Sequence, residues 1–227
     1  MNGFSFTLRG ARLVATGSGA LLWPEAGLMA VSDLHLGKSE RWARRRGTLL
    51  PPYEVQDTLA RLAADIARHA PALVLCLGDS FDDDAAAVAV APAVTDPLAR
   101  MQAGRRWLWI TGNHDADTAG PGGETAGEAQ LGPLTFRHIA ASEAEGEVSG
   151  HYHPKARVAL RGRSLSRPCF LFDAARLILP AYGTYTGGLR WTDPVLQNLM
   201  GDEACAVLTG PTPHAFPLPR HQARRRA

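Results

Sequence analysis

Residues 29–37 read MAVSDLHLG, an apolar run that stops at Ser32 and is followed by Asp33 and His35. The unbroken apolar residues from 28 to 31 are typical of a strand that is buried on both faces. Polar side chains that follow such a strand emerge at its carboxyl end. We therefore expect Asp33 and His35 to lie at the end of a central strand, where they can bind a ligand.

Three later stretches repeat this design. They read LVLCLGD (73–79), WLWITGNHD (107–115) and EVSGHYH (147–153), and each apolar run ends in Asp, Asn or His. Any one of these patterns is also typical of an exposed loop pair or a turn. Their joint occurrence at four strand ends predicts a converging cluster, which we interpret as a two-metal hydrolytic site. Its candidate ligands are Asp33, His35, Asp79, Asn113, His151 and His153.

The chemistry of these side chains restricts the metal. Carboxylate oxygens and imidazole nitrogens without thiolates suit Mn²⁺, Fe or Zn²⁺, whereas a structural zinc site would contain cysteines. Alternation along a strand end explains the single residue between Asp33 and His35 and between His151 and His153. Glycines at 78, 112 and 150 directly precede ligands, and we expect them to permit a sharp turn and leave room for substrate.

Composition restricts the class of protein. The chain has 227 residues, 45% of them hydrophobic, and a formal net charge of +2, which is too small to establish a nucleic-acid partner. We expect one domain over residues 1–210 and a flexible basic tail over 211–227. Three cysteines without a CxxC pattern, no secretory signal and no apolar run of membrane length predict a cytoplasmic protein without a membrane partner.

The first half of the chain alternates strands with helices. A hairpin is expected over 4–16, a short strand over 20–23, and a helix after the prolines at 51 and 52. That helix has one apolar stripe, formed by Val55, Leu59, Leu62, Ile66 and Ala67. Residues 84–103 are expected to be helical in pieces, because Pro92 and Pro97 interrupt them. This order predicts a βαβ layer.

The second half has a different texture. Residues 120–132 contain five glycines and are expected to form a flexible loop, and little order is expected beyond Leu196. Short strands are predicted over 134–139, 146–149, 156–160, 169–172 and 176–179, in an antiparallel sheet. We expect two sheets packed face to face, with helices outside.

DLH, GDSFDD, GNHD and GHYH, in this order, resemble the calcineurin-like metallophosphoesterase superfamily. The resemblance implies an α/β, four-layer αββα sandwich of two mixed sheets flanked by helices, and two divalent metals bridged by an Asp. It implies that Asp33, His35 and His153 hold one metal, that Asp79 bridges, and that Asn113, His151 and a further histidine hold the other. That histidine lies between GNHD and GHxH, where His138 is the only histidine; the alternative is a surface histidine on a strand.

The same resemblance assigns roles beside the metals. The position of His114 contacts the scissile phosphate or protonates the leaving group, and the acid that follows, Asp115, orients the imidazole. An imidazolium held by a carboxylate is suited to protonate a departing alkoxide. The superfamily contains phosphatases, nucleotidases, cyclic-nucleotide diesterases and nucleases, so the fold does not identify the substrate.

Two flanking stretches narrow the resemblance. HLGKSERWARRRGTLLPPYEVQDTLARL (35–62) and LPAYGTYTGGL (179–189) resemble the bacterial ligase-associated DNA damage response endonucleases. This implies a manganese-dependent DNA endonuclease that acts in DNA repair on single-stranded or flexible DNA, with a ligase and a helicase as possible partners. The chain departs from that pattern at Asp82, where a His often follows GDSF. Either the acids there alter substrate choice, or Asp82 binds metal.

The arginine-rich segment after Gly37 has two interpretations. Its cations could hold phosphates beside the scissile one, and Trp42 could stack on a base. The candidate substrate contacts are Lys38, Arg41, Trp42, Arg45 and Asp82. The alternative is a solvated basic helix anchored by Trp42.

Two other functions remain open. A phosphomonoesterase or a small-diester (nucleotide) hydrolase would make the arginine segment incidental. A non-catalytic scaffold of the same fold is the third possibility, although every ligand position and His114 are filled in this chain. The sequence does not fix the oligomeric state, the native metal or the DNA strand preference.

Overall fold

The computed structural model describes residues 3–47, 51, 53–114, 120–160 and 162–219. In this part of the chain the strands form two mixed sheets that face each other across a shared apolar core. A second core lies between the first sheet and two long helices, and a third covers the outer face of the second sheet. The expected α/β sandwich of two mixed sheets flanked by helices is therefore confirmed.

The first sheet starts with antiparallel strands and continues as a parallel layer. Its neighbours are antiparallel from β1 to β4 and parallel from β4 to β7. The strands are β1 (Gly3–Leu8), β2 (Ala11–Thr16), β3 (Leu21–Trp23), β4 (Leu28–Ser32), β5 (Leu73–Leu77), β6 (Arg106–Ile110) and β7 (Glu124–Ala126). The predicted hairpin and the three central strands are confirmed.

Strand β4 is buried along its whole length because both of its faces are covered. Met29 and Val31 pack in the core under the helices, whereas Leu28 and Ala30 face the second sheet. Alternate residues of a strand point to opposite faces, so apolar cover on both sides requires a continuous apolar run. This is why the sequence of β4 shows no polar alternation.

The helices are α1 (Lys38–Arg46), α2 (Glu54–His69), α3 (Asp84–Gln102) and α4 (Pro194–Leu199). Helix α2 buries four of the five residues of its predicted stripe, and Ala67 is exposed. Ala67 directly follows buried Ile66, and neighbouring helical residues lie about 100° apart around the axis. No helix in the described ranges has both the length and the apolar character needed to span a membrane.

Helix α3 runs without interruption through Pro92 and Pro97, so the prediction of separate helical pieces is wrong. Each proline lacks the N–H that would bond to the carbonyl four residues earlier, on Val88 and Ala93. Both of those residues are exposed. Water can bond to the two carbonyls, and the buried face of the helix keeps its packing.

The second sheet contains strands β8 to β15. Its order is β15-β14-β12-β13-β10-β9-β8, with β11 paired to β12. The strands are β8 (Glu128–Leu131), β9 (Leu134–Arg137), β10 (Glu147–Ser149), β11 (Lys155–Leu160), β12 (Arg163–Phe172), β13 (Arg176–Ile178), β14 (Cys205–Leu208) and β15 (His214–Pro217). Strand β10 is parallel to both β9 and β13, so the expectation of a purely antiparallel sheet is wrong. Because β9 and β10 are parallel, a tight hairpin turn cannot connect them, and the chain crosses over through residues 138–146.

The glycine-rich residues 120–132 do not form one flexible loop, because β7 and β8 both lie within them. Gly120 and Gly123 pack closely against two tryptophans of β6. A Cβ at Gly120 would lie 2.3 Å from Cε2 of Trp109, and one at Gly123 would lie 3.2 Å from Cβ of Trp107. These glycines permit close approach of the backbone to large rings.

The prediction of little order beyond Leu196 is also wrong. Strand β15 pairs along its length with β14, although its residues belong to the segment that we expected to be a loose tail. Leu218 follows the strand, is 4% exposed and donates its backbone N–H to the carbonyl of Ala204. Backbone pairing and this buried leucine fix the segment. The arginines of the predicted basic tail, from 220 onward, lie outside the described residues.

Candidate metal centre

Six predicted ligands form two adjacent clusters at the carboxyl ends of the central strands. One cluster contains Asp33, His35 and His153, and the other contains Asp79, His138 and His151. Within each cluster the possible ligand atoms lie within 4.8 Å of one another. The structure therefore has two candidate metal sites in which residues from both sheets meet.

The strand ends explain how these side chains converge. Strands β4, β5 and β6 are parallel neighbours, so the residues that follow them emerge at one edge of the first sheet. The second sheet contributes His138 directly after β9 and His151 soon after β10. The backbone N–H of His151 donates to Oδ2 of Asp33 at 2.9 Å, which joins the two sheets at the site.

The backbone at the site is unusual. Five of the six clustered residues have a positive φ, a conformation that non-glycine residues rarely adopt. They are Asp33, His35, Asp79, His151 and His153, with φ between 44° and 70°. Each such conformation costs on the order of 1–3 kcal/mol and persists only where the surrounding structure holds it. The ligand positions are thus set by tertiary contacts against local preference.

Two of the glycines beside the ligands make room for protein side chains. A Cβ at Gly78 would lie 2.2 Å from Nδ1 of His138, and a Cβ at Gly150 would lie 1.7 Å from Oγ of Ser32. We expected these glycines to leave room for substrate, and the space is instead taken by residues of the site. Gly78 also has a φ of 67°, which favours glycine.

Asp33 is fully buried, and its two carboxylate oxygens differ in their hydrogen bonds. Its Oδ2 accepts from the hydroxyl of Ser32 and from the N–H of His151. Its Oδ1 has no hydrogen-bond donor among the described residues, although Nε2 of His153 lies 3.2 Å away. Nε2 of His35 lies 3.4 Å from the same nitrogen of His153. An unsatisfied buried oxygen facing two imidazole nitrogens fits a divalent cation.

Asp79 lies between the two clusters. Its Oδ2 is 3.4 Å from Nε2 of His138 and 4.0 Å from Nε2 of His35. Asn113, which the sequence analysis also assigned as a ligand, places its Oδ1 3.0 Å from Nε2 of His138. Asp79 is therefore placed to serve both clusters, as the bridging role requires.

His138 is oriented by a backbone carbonyl. Its Nδ1–H donates to the carbonyl of Leu77 at 3.1 Å, so Nε2 faces Asp79 and Asn113. In metal-binding histidines, the ring nitrogen that does not bind the metal typically donates its N–H to a carbonyl or carboxylate in this way. Burial would lower the pKa of His138, but the Asp79 and Asp33 carboxylates outweigh it and raise the pKa. The surroundings thus stabilise positive charge at this position.

The pKa values of Asp33 and Asp79 also reflect the positive charge of neighbouring imidazoles. Burial would raise the pKa values of Asp33 and Asp79, but neighbouring imidazoles lower both below the ordinary value of an aspartate. His153 has the largest lowering effect on Asp33, and His138 has it on Asp79. Both acids are therefore ionised at neutral pH, as metal binding requires.

Asp82, where the chain departs from the resembling endonucleases, holds a ligand in place. It is fully buried, and its Oδ1 accepts from Nδ1–H of His35 at 2.8 Å. This leaves Nε2 of His35 directed at the first cluster. A carboxylate behind a metal-binding histidine fixes the ring and raises its basicity. Asp82 is thus placed to orient His35, and it is not one of the residues of the two clusters.

Cations of α1 also bind Asp82. Lys38 Nζ lies 3.3 Å from its Oδ1, and Arg41 Nη1 lies 3.1 Å from its Oδ2. Burial would raise the pKa of Asp82, but His35 and these cations outweigh it and lower the pKa. Arg44 and Arg45 pair with Asp83 at 2.8 and 3.1 Å. The predicted phosphate-binding cations thus already have acidic partners, and Trp42 is partly buried.

Asp82→Asn is expected to weaken metal binding by about 10- to 100-fold, because the amide lacks the charge that supports His35. Mn²⁺ titration followed by calorimetry, and separately by ester hydrolysis, measures this change. Asp83→Asn is the matched control, since Asp83 caps α3 by accepting from the N–H of Ala86, and Asn also caps helices. Equal Mn²⁺ affinity in Asp82→Asn and the native protein would contradict the role.

His114 lies at the edge of the two clusters. Its backbone N–H donates to Oδ1 of Asp79 at 2.9 Å, and its Nδ1–H donates to the carbonyl of Asp82 at 2.9 Å. Its Nε2 lies 4.0 Å from Oδ2 of Asp79, and 31% of the side chain is exposed. The ring can therefore reach a substrate that enters from solvent. Asp115, predicted to orient this ring, lies outside the described residues.

Several residues that support the site could not be predicted from the sequence. Ser32 and the carbonyl of Leu77 are partners of candidate ligands without any motif that marks them, and the tyrosines of LPAYGTYTGGL had no assigned role. Tyr182 is buried and donates its hydroxyl to Asp65 at 2.9 Å, whereas Tyr185 is 40% exposed with a φ of 64°. The glycines and tyrosines of that stretch were a signal of close packing against the site.

Comparison with known proteins agrees with this geometry. The family model described as calcineurin-like phosphoesterase matches residues 28–169. The fold is also similar to the crystal structure of the nuclease MPE from Pseudomonas putida, with a TM-score of 0.73 and 27% sequence identity. That match covers 96% of this chain and 100% of the nuclease chain. No curated protein matches the chain significantly. The chain therefore belongs to the calcineurin-like phosphoesterase family and is a metal-dependent phosphoesterase.

Proposed function

We propose that this protein is a two-metal phosphodiesterase that cleaves nucleic acid internally, and specifically a manganese-dependent DNA endonuclease. The observation that carries the proposal is the pair of adjacent clusters, with Asp79 between them and the ring of His114 at their open edge. Two adjacent cation sites beside a proton donor form a suitable arrangement for displacement at phosphorus.

The geometry supports the assignment of ligands to two ions. Asp33, His35 and His153 would hold one ion, His138, His151 and Asn113 would hold the other, and Asp79 would contact both. Bound divalent ions supply charge stabilisation at the phosphoryl oxygens and lower the pKa of an attacking water. The mixture of nitrogen and oxygen ligands suits Mn²⁺, with Fe and Zn²⁺ as the other candidates.

His114 would supply the proton for the leaving group. Water attacks phosphorus, the bond from phosphorus to the leaving oxygen breaks, and that oxygen takes the proton from Nε2 of His114. The bond from Nδ1–H to the carbonyl of Asp82 holds the ring so that Nε2 faces the clusters. In the described residues this carbonyl takes the orienting role that the sequence analysis gave to Asp115.

Nucleic acid is supported as the substrate class by similarity. A solved structure that matches nearly the whole chain is a nuclease, and two flanking stretches resemble DNA repair endonucleases. We infer that the protein acts in DNA repair in the cytoplasm, on single-stranded or flexible DNA, and a ligase and a helicase are the partners to test. Three free cysteines are consistent with a reducing compartment.

A second candidate is a phosphomonoesterase or small-diester (nucleotide) hydrolase. The observation that favours it is the pairing of α1 with acids, since Arg41, Arg44 and Arg45 all contact Asp83. These cations are then less free to bind a polyanion than their sequence indicates. The filled ligand positions and His114 make a scaffold without catalysis the weakest alternative.

Circular DNA separates these functions. The manganese-loaded protein is expected to nick or linearise circular single-stranded and supercoiled DNA. Such cleavage identifies an endonuclease, because circles offer no ends to an exonuclease. His35→Ala is the control, and its activity is expected to fall to the level seen with a chelator.

Conversion of the circles is followed on gels, with release of nitrophenol from nitrophenyl phosphate measured in parallel. Intact circles together with chelator-sensitive release of nitrophenol would favour the small-substrate hydrolase and reject the endonuclease.

A further inference from the structure

The β11–β12 hairpin follows the last metal ligand and is strongly basic. Positions 154–172 contain five cationic residues and no acidic residue. The two strands pair along the whole of β11, from Lys155 opposite Pro168 to Leu160 opposite Arg163. Because β11 begins two residues after His153, its charge lies beside the candidate metal centre.

One face of this hairpin is polar. Ala156 and Val158 are buried, whereas Arg157 between them is exposed, so Lys155 and Arg157 point to the opposite face. The Nε–H of Arg157 donates to Oγ of Ser164 at 2.6 Å across the strands. Among the described residues no carboxylate lies within ion-pair distance of Arg157. In this it differs from Arg41, Arg44 and Arg45 of α1.

The polar face continues into the loop over residues 181–188, which we call the Tyr185 loop. Lys155 Nζ donates to the carbonyl of Thr186 at 3.0 Å. The loop also contacts the metal centre, since the N–H of Gly183 donates to the carbonyl of Asp33 at 3.0 Å. The hairpin face and the loop therefore form one surface that reaches the first cluster.

The Tyr185 loop is held firmly while Tyr185 itself is exposed. Arg61 Nη2 donates to the carbonyl of Tyr182 at 2.7 Å, and the N–H of Thr184 donates to Oγ1 of Thr58 at 3.1 Å. Tyr185 has a φ of 64° and is 40% exposed. A strained backbone that presents an aromatic ring to solvent beside a reaction site is typical of a binding position.

We propose that the surface formed by Arg157, Lys155 and Tyr185 binds the single-stranded nucleic acid that flanks the scissile phosphate. This rests on the proposed nuclease function and adds where the strand lies. Arg157 contacts a phosphate, and a base stacks on Tyr185. Arg157 is four residues after His153, or about 13 Å at the rise of an extended strand, which corresponds to a phosphate a few nucleotides from the cleaved one.

Arg157→Glu is the main test, and Arg167→Glu is its matched control. Arg167 is an exposed arginine on the same hairpin but pairs opposite Ala156, so it belongs to the other face. Binding of a fluorescent oligothymidylate is measured by anisotropy in chelator, and kcat/KM is measured for the oligonucleotide and for bis-nitrophenyl phosphate with Mn²⁺.

Arg157→Glu is expected to lower oligonucleotide affinity about 10-fold and to reduce the salt slope of log K by about 0.7, the value for one phosphate contact on a single strand. The ratio of kcat/KM for the oligonucleotide to that for the nitrophenyl diester is expected to fall in parallel. Tyr185→Leu is expected to weaken binding about 10-fold, and Tyr185→Phe is expected to retain affinity because the ring remains.

The outcomes separate the two proposals. A native protein that cleaves the oligonucleotide, with Arg157→Glu and Arg167→Glu equal in affinity, would overturn the surface and leave the nuclease function standing. A native protein that hydrolyses the nitrophenyl diester but neither binds nor cleaves the oligonucleotide would overturn both. Displacement of the oligonucleotide by polyglutamate of equal charge and concentration would show a general anion surface and also overturn the proposal.

Discussion

Asp79→Asn is expected to lower kcat for phosphodiester hydrolysis about a thousand-fold, on both DNA and nitrophenyl esters. Asp79 lies between the two clusters, with its Oδ2 3.4 Å from Nε2 of His138 and 4.0 Å from Nε2 of His35. Loss of its charge removes an anionic ligand from both sites, and metal catalysis supplies several kcal/mol, which corresponds to a factor of this size. Hydrolysis of activated nitrophenyl esters is expected to slow as well, because a lost metal ligand impairs the attack of water whatever the leaving group is.

The measurement combines kinetics with metal content. We expect Asp79→Asn to bind fewer than two equivalents of Mn²⁺ by elemental analysis after gel filtration, while thermal unfolding of the metal-free protein remains cooperative. Asp83→Asn, four residues after Asp79 on the loop between β5 and α3, serves as the control and is expected to retain both metals. Two equivalents of tightly bound Mn²⁺ and kcat within ten-fold of the native value would reject the shared-ligand assignment.

His114→Ala is expected to distinguish substrates by their leaving groups. Cleavage of DNA, whose leaving alkoxide is strongly basic, should slow by about 10²- to 10⁴-fold, the usual contribution of general acid catalysis. Nitrophenyl esters should slow much less, because nitrophenolate departs without a proton. The structural basis is Nε2 of His114, which lies 4.0 Å from Oδ2 of Asp79 at the open edge of the site.

The comparison uses kcat for both substrates at saturating Mn²⁺. His69→Ala provides a control, because His69 belongs to α2 and forms no part of either cluster. We expect it to leave the ratio of the two rates unchanged. Equal losses on DNA and on nitrophenyl esters in His114→Ala would eliminate the proton-donor role, because alanine keeps the backbone N–H that donates to Asp79.

The sequence was sufficient to predict the strand ends at the site. Buried parallel strands require continuous apolar runs, and the polar residues that end those runs had one edge at which to meet. Asp33, Asp79 and Asn113 could therefore be assigned from pattern alone. His138 needed a family resemblance, because TFRHIA has no feature that separates a ligand from a surface histidine.

Long-range side-chain pairing was the part that pattern could not supply. The cations of α1 looked available for phosphate, yet Asp82 and Asp83, some 40 residues later, bind four of them. The orientation of His35 by Asp82 has the same character, because the partners are 47 positions apart in the sequence. Such contacts depend on how α1 packs against the loop after β5, which local propensity does not encode.

The errors in secondary structure also have physical causes. Pro92 and Pro97 were expected to break a helix, but the carbonyls that lose their helical N–H partner belong to exposed residues, Val88 and Ala93. Glycines at 120 and 123 were interpreted as flexibility, although they permit contact with Trp109 and Trp107. Strand β15 lies at a sheet edge and pairs with β14 only. Edge strands are short and partly polar, so their sequence signal is weak.

The meeting of the two sheets at Asp33 has a consequence for folding order. Its carboxylate accepts from the backbone of His151, 118 residues later, and the N–H of Gly183 donates to its carbonyl. Contacts this distant in the chain form late, because their loop-closure entropy must be offset by structure already present. The first cluster (Asp33, His35 and His153) is therefore complete only when both sheets have docked. Uptake of metal during refolding would mark this final step of assembly.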